Sequence, residues 1–332
     1  MKAMVIDRYG KNVPLRLMER PTPLVGEHEV LVEIHAASIN PVDFKIRDGI
    51  VRLLAKYEFP LTLGNDFSGT IIQVGSKVTK FSIGDEVYGR PRKTRIGTFA
   101  EMVAVHEDDI ALKPGNLSFE EAASIPLVGL TTIQAFEMMG LKAGHKIFIP
   151  AGSGGVGTFA IQLAKEMGAF VATTVSEKGY DLVKSLGADV IVNYKKESFA
   201  EILKDYDAVF DTVGKDTLIK SFEILKPPGK IVSIAALPDA KFARKENLGL
   251  FRMILFSLVN LKTASLEKKY NVEYLYHFMK PSGKQLTFIK GLIEQGKIIP
   301  VIDRVYPFVD TQEALDYVET GRAKGKVIVR IK

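Results

Sequence analysis

The 332-residue chain contains no cysteine. Disulfides, thiolate metal sites and cysteine nucleophiles are thereby excluded. Histidine is scarce too: His28, His35, His106, His145 and His277 show no ligand spacing, and each reads as a structural residue. The opening MKAMVIDRYG lacks an apolar leader, so a cytoplasmic chain is expected. No apolar run is long enough to span a bilayer. The longest, Leu248 to Leu261, is interrupted by Arg252 and reads as a buried helix or a pocket wall. There are no internal repeats and no low-complexity linker. The formal charge of +6 is modest, and its one cluster, Arg90, Arg92, Lys93 and Arg95, has no interleaved aromatics. It reads as a solvated loop, and no nucleic-acid partner is expected.

What is present has the composition of an ordinary globular protein and a length natural for two domains. The most informative stretch runs from His145 to Lys178. An apolar strand (HKIFIP) enters the turn Ala151, Gly152, Ser153, Gly154, Gly155, Val156, Gly157. A helix with apolar positions Phe159, Ile161, Leu163, Ala164 and Met167 follows, then a second strand, Phe170 to Val175. Gly152, Gly154 and Gly157 satisfy G-x-G-x-x-G in the setting that gives the pattern meaning. A tight turn, close approach of a pyrophosphate to backbone N–H groups and close helix–strand packing each require a missing side chain.

A cofactor with a free ribose 2'-OH is usually held by an acid at the end of the second strand. Here that position falls on Ser176, with Lys178 two residues on. A hydroxyl and an ammonium suit a 2'-phosphate, so NADPH is expected over NADH. In the competing reading, Lys178 is a solvated lysine and Glu177 takes the ribose.

Along the chain, the first hundred residues are β-rich, with prolines at the joints, and suggest a compact barrel. Ser118, with Glu121 three residues on, makes a capping box that opens a helix through AASIPLVGLTTIQAFEMMG. Strands and helices then alternate, with helices over Tyr180 to Leu186, Phe199 to Leu203 and Leu218 to Leu225. This pattern implies a parallel sheet with crossovers, a Rossmann-like domain. Val272 to Phe278 reads as one more strand and Lys284 to Glu294 as a helix. A crevice between the two domains is the expected place for chemistry.

Several landmarks in order carry a resemblance: Ser38-Ile39-Asn40-Pro41-Val42-Asp43, Leu63-Gly64-Asn65-Asp66-Phe67-Ser68-Gly69, Gly84-Asp85-Glu86-Val87, Gly129-Leu130-Thr131-Thr132, the glycine turn and Gly321-Arg322-Ala323-Lys324-Gly325-Lys326. Together they resemble the medium-chain dehydrogenase/reductase superfamily over nearly the whole chain. The resemblance implies an α/β protein with a GroES-like β-barrel catalytic domain (1–120 and 281–332) and a Rossmann-type doubly wound parallel sheet (121–280). Where the family's zinc alcohol dehydrogenases carry a cysteine and a His-Glu pair, this chain has Asn40 and Asn65-Asp66, and the four-cysteine zinc lobe is absent. A tetrahedral zinc site cannot be assembled from these residues. The resemblance therefore points to the zinc-independent branch of quinone oxidoreductases and enone or alkenal reductases, and NPVDFK (40–45) looks closest to the enone-reductase-like members.

Hydride delivery to the β-carbon of an enone places negative charge on the carbonyl oxygen, and a donor must meet it there. Lys45 is the candidate, to stabilise the enolate or to hold the nicotinamide ribose hydroxyl that relays a proton, against a surface lysine in a loop. Asn40 and Asp66 would orient it or bond the cofactor amide, against the reading of both as turn residues. Tyr57 is a candidate at a pocket mouth. By resemblance Thr131 reaches the nicotinamide end. Val213-Gly214 and Ile234-Ala235 lie at carboxyl ends of strands, Tyr194 packs at the adenosine phosphate side, and Arg322 approaches the cofactor. The expected partners are a small hydrophobic carbonyl or quinone and, by resemblance, a second copy of the chain pairing through Val272 to Phe278. One-electron quinone reduction and a non-catalytic NADPH-binding sensor or crystallin-like role are the alternatives.

Overall fold

Alternating apolar residues in the first hundred positions produce strands whose inner faces fill one core. A computed structural model describes residues 1–332. It divides into two units, Met1–Leu130 with Lys280–Lys332, and Thr131–Met279. In chain order the first unit supplies β1 (Lys2–Ile6), β2 (Arg16–Glu19), β3 (Glu29–Ile39), α1 (Pro41–Arg47), β4 (Leu61–Thr62), β5 (Asp66–Val74), β6 (Glu86–Gly89), β7 (Met102–His106), β8 (Ile110–Leu112) and α2 (Phe119–Ala123). The helix α3 (Pro126–Met139) runs through the division. Ser118 caps α2 reciprocally with Glu121, but Pro126 restarts the helix, so the single helix expected here is two. Because α2 packs on β3 and β5, the division falls ten residues beyond the expected 121.

The second unit follows: β9 (Lys146–Ile149), α4 (Gly155–Glu166), β10 (Phe170–Val175), α5 (Tyr180–Ser185), β11 (Val190–Asn193), α6 (Phe199–Ile202), β12 (Tyr206–Asp211), α7 (Lys215–Ser221), β13 (Leu225–Ser233), α8 (Ala240–Lys245), α9 (Leu250–Val259), α10 (Leu261–Tyr270) and β14 (Val272–Tyr276). Its parallel sheet has the order β11-β10-β9-β12-β13-β14. That is the doubly wound arrangement, with its switch point between β9 and β12. The helix expected over Leu218 to Leu225 starts earlier, at Lys215. It ends before Phe222 and Ile224, which are drawn into the core, and Leu225 already belongs to β13.

The chain returns to the first unit with α11 (Gly283–Glu294), β15 (Ile302–Pro307), α12 (Thr311–Glu319) and β16 (Lys326–Arg330). There β16 inserts between β15 and β3, parallel to one and antiparallel to the other, in the order β15-β16-β3-β5-β6-β8. Both ends of the chain therefore build one core, in which Met4, Ile39 and Leu63 pack with Val327 and Val329.

Two expectations fail here. Of the two readings of Leu248 to Leu261, the buried helix fails: Phe256 is inward, while Leu250 and Phe251 are 70% and 76% exposed. The Arg90 cluster is not a solvated loop. Arg90 is buried, Arg92 forms a two-pronged pair with Asp109 (2.7 and 2.9 Å), and Arg95 pairs with Glu29. Carboxylates from elsewhere in the chain, Asp109 in the turn between β7 and β8 and Glu29 on β3, account for both pairs, and no local pattern reveals them.

Candidate active site

The first unit's site is built around the start of α1. Asn40 is the N-cap in extended conformation, Pro41 occupies the first helical turn, and Asp43 accepts the Asn40 backbone N–H at 2.7 Å. The segment carrying Lys45 is thus a helix rather than a loop. Lys45 is half-buried, and desolvation alone lowers its pKa; no carboxylate bonds its ammonium.

Behind Lys45 lies a buried polar network. Lys326 Nζ, from the start of β16, donates to Asn40 Oδ1 at 2.5 Å and lies 3.5 Å from Asp66 Oδ2. Asn40 Nδ2 and Ser38 Oγ donate to the same carboxylate oxygen at 2.9 and 2.6 Å, while the Leu127 N–H donates to Asp66 Oδ1 at 2.8 Å. A second branch runs outward from Asp43. Asn65 Nδ2 donates to Asp43 Oδ1 at 2.7 Å, and Arg90 donates to Asn65 Oδ1 at 3.2 Å. Arg90 also donates to the Pro91 carbonyl, and its Nε is buried without a partner.

Two cations and two carboxylates are thereby held at 5% exposure or less. Burial pushes Asp43 up to about 7 and lowers both Lys326 and Arg90. Tyr57 is half-buried, and desolvation raises its phenol to about 12, so it remains a neutral hydroxyl. Asn40 and Asp66 are brought together, each with its hydrogen-bonding capacity used inside the network. Sequence reasoning gave no role to Lys326, Asp43, Asn65 or Arg90. The Asn40–Asp43 spacing was a legible capping signal; the 286-residue separation of Lys326 from Asn40 was not.

No group of three or more His, Cys, Asp or Glu is placed to hold a metal ion. Of the histidines, His277 is buried with Nε2 unpartnered, and burial lowers its pKa to about 4.

The second unit presents the glycine turn between β9 and α4. Its three motif glycines have different reasons to be glycine. A Cβ on Gly152 would lie 2.1 Å from Thr173 Oγ1, and one on Gly157 would lie 2.5 Å from the Ala151 carbonyl. Those two are fixed by internal packing. A Cβ on Gly154 would meet only the Ala151 carbonyl, at 3.3 Å. Gly154 is also the N-cap of α4, without side-chain capping, so the first-turn N–H groups of Gly155, Val156 and Gly157 face no side-chain acceptor. A glycine whose only near neighbour is one carbonyl, above uncapped donors, makes a cradle that a phosphate fits. Ser153 and Val156 complete the turn, both half-buried.

At the end of β10, Ser176 is half-buried and Lys178 exposed. Lys196 Nζ lies 3.3 Å from the Glu177 carboxylate, so a second ammonium, missed in the sequence, answers the acid at this strand end. Tyr194 follows β11, 59% exposed, with its N–H on the Val175 carbonyl. The carboxyl ends of β12 and β13 are tied together by Asp211. Its carboxylate accepts from Ser233 Oγ at 2.6 Å and from the Val213 and Gly214 N–H groups at 3.2 and 2.8 Å. The Ala235 and Ala236 N–H groups reach Ser233 Oγ in turn. Asp211 and Ser233 were not singled out in the sequence, yet they set the turns that present Val213-Gly214 and Ile234-Ala235. Thr131 is buried on α3, and Arg322 is exposed after α12.

With this geometry in view, comparison with known proteins is informative. Residues 26–115 match the alcohol dehydrogenase GroES-like domain, and residues 186–329 match the zinc-binding dehydrogenase model. The mouse NAD(P)H oxidoreductase RTN4IP1, mitochondrial, is 36% identical over all of this chain and 89% of its own length. Tomato 2-methylene-furan-3-one reductase is 35% identical over 99% of this chain and 79% of its own. Among solved structures, the quinone oxidoreductase from Coxiella burnetii superposes with TM-score 0.87 at 33% identity, covering 100% of this chain and 99% of that one. The Escherichia coli quinone oxidoreductase complexed with NADPH gives 0.83 at 25% identity, covering both chains fully. The chain belongs to the medium-chain dehydrogenase/reductase superfamily, in its quinone oxidoreductase and enone reductase branch.

Proposed function

We propose that this protein is an NADPH-dependent oxidoreductase that reduces the C=C bond of α,β-unsaturated carbonyls, or quinones, without zinc. The carrying observation is Lys45, a half-buried ammonium on a rigid helix with no carboxylate bonded to it. A charge so placed is available to an oxygen that becomes negative during reaction. The names of the relatives support the substrate class, a 2-methylene-furan-3-one reductase and quinone oxidoreductases, and the Escherichia coli neighbour was solved with NADPH.

The residues fit the cofactor. Gly152 to Gly157 would receive the pyrophosphate, with Gly154 leaving the approach open. Ser176 and Lys178, assisted by Lys196, would receive the 2'-phosphate, with Tyr194 beside them. Val213-Gly214, Ile234-Ala235 and Thr131 would line the path toward the nicotinamide, and Arg322 would add a cation to the cofactor's contacts. Bound NADPH supplies the hydride. Lys45 then stabilises the developing enolate, while Asn40 and Asp66, locked by Lys326, hold the N-terminus of its helix still. Asn40, Asn65 and Asp66 stand where a zinc site would need thiolate and imidazole, which supports a metal-free reaction.

The test is a panel of small enones, enals and quinones with NADPH and NADH in parallel, following cofactor oxidation and product mass. Saturated product with NADPH is expected. NADPH oxidation with semiquinone signals and no saturation would refute the C=C reading, and cofactor binding without turnover would refute an enzyme. As part of the same proposal, β14, the edge strand of its sheet, pairs with its copy across a dimer axis, which gel filtration checks.

A further inference from the structure

The helix α9 carries more apolar surface outward than inward. At 100° per residue, Leu250, Phe251, Ile254 and Leu258 fall within an arc of about 100°, and buried Phe256 lies on the opposite side. Their exposures are 70%, 76%, 52% and 60%. Leu261, at the start of α10, extends the strip at 64%. Single exposed leucines are ordinary; a continuous strip on one helix face marks a surface that is covered in use.

What covers it is indicated by charge. Residues 240–270 hold seven Lys and Arg against two Glu, hence a formal +5 of the chain's +6. Arg244, Lys245, Lys262, Lys268 and Lys269 are exposed on the flanking helices α8 and α10, while Glu267 is taken up by Lys241 at 2.8 Å. An apolar strip of Leu, Ile and Phe flanked by cations is the pattern of a helix lying in a bilayer interface, its apolar side chains in the acyl boundary and its cations on anionic headgroups. A second copy laid strip against strip would bring +5 against +5. A protein groove is less suited, because Trp, Tyr and Arg dominate the anchors at protein interfaces while Leu is under-represented there, and three of the strip's five residues are Leu. No helix is long and apolar enough to cross a membrane, so any attachment through a helix is peripheral.

We infer that the α9 face, with its flanking cations, docks this protein on an anionic lipid surface. The inference does not depend on the reaction. The test is co-sedimentation of the full chain with phosphatidylglycerol-containing vesicles and with pure phosphatidylcholine vesicles. The wild type is expected to bind the anionic vesicles strongly and the neutral ones weakly. Ile254→Ser with Leu258→Ser should weaken binding to both by about a hundredfold. Arg244→Glu with Lys245→Glu should weaken only the anionic binding, by about tenfold or more. An unchanged unfolding midpoint in each variant keeps the comparison valid, since all four positions face solvent or half face it.

Four results would overturn the inference. Wild-type protein could remain in the supernatant with both vesicles. The serine variant could bind as well as the wild type. The serine variant could dissociate, by light scattering, copies that stay together in the wild type, making the strip a copy–copy interface. Finally, the serine variant could lose turnover of a water-soluble enone without vesicles, making the strip a pocket wall.

Discussion

The two units solve the problem of presenting polar groups in opposite ways. In the second unit the presenting groups are backbone N–H groups at strand ends, exposed by glycines and held by Asp211 and Ser233. In the first they are side chains, and their support is an ionic network contributed by β3, α1, β5 and β16. A backbone site needs a local sequence pattern and little charge. A side-chain site needs distant residues, and every buried charge in it must be answered by another.

The sharpest way to break this comparison is Lys326→Met. It leaves Asp66 and Asn40 buried without their cation, and should cost about 3–5 kcal/mol in denaturant unfolding. Lys332→Met, which removes an exposed pair with Glu33, should cost about 1 kcal/mol or less. Equal effects would mean that the network carries no special weight.

Next is Lys45→Met, which removes a half-buried ammonium that no carboxylate answers. Turnover should fall by about two to three decades, corresponding to about 2.7–4 kcal/mol, while NADPH affinity stays close to intact. A comparable loss of affinity would show that Lys45 serves the cofactor instead.

The units should also respond oppositely to pH. Asp43 sits near 7 instead of 3.8, so the folded chain keeps a proton that the unfolded chain releases. Its contribution to stability falls as pH rises from about 4 to 7. His277 sits near 4 instead of 6.5, so the folded chain refuses a proton that the unfolded chain accepts. Its contribution, about 3 kcal/mol, is lost as pH falls from 6.5 to 4. His277→Phe should therefore remove the acid-side loss and expose the opposite slope, measured by urea unfolding across pH 4–8.

The smallest expected stability effects separate the glycines. Gly157→Ala should destabilise by about 1–3 kcal/mol through its clash with the Ala151 carbonyl. Gly154→Ala should leave stability within about 0.5 kcal/mol while weakening NADPH at least about tenfold, read by fluorescence titration.

Legibility in the sequence follows the same division. The glycine turn, the alternation from β9 to β14 and the Ser118–Glu121 box are local, so spacing alone revealed them. Arg90 looked like one of four loop cations because its partner, Asn65, is 25 residues away. Lys326 looked like the polar start of a strand. The α9 run looked like core because hydropathy reports what a residue prefers, not which side of a helix its neighbours leave uncovered. Lys45 was placed in a loop because the Asn40-Pro41 start of α1 was read as a turn, although the Asp43 spacing already fits a cap.

The insertion of β16 beside β3 has a consequence for synthesis. A chain leaving the ribosome has every strand of the nucleotide turn's sheet before β16 exists. Until the last strand arrives, Asn40 and Asp66 lack the ammonium that anchors them. The nascent protein can thus complete the sheet around its glycine turn before its side-chain network, and a chain ending before Lys326 would carry the glycine turn without the ammonium that anchors Asn40 and Asp66.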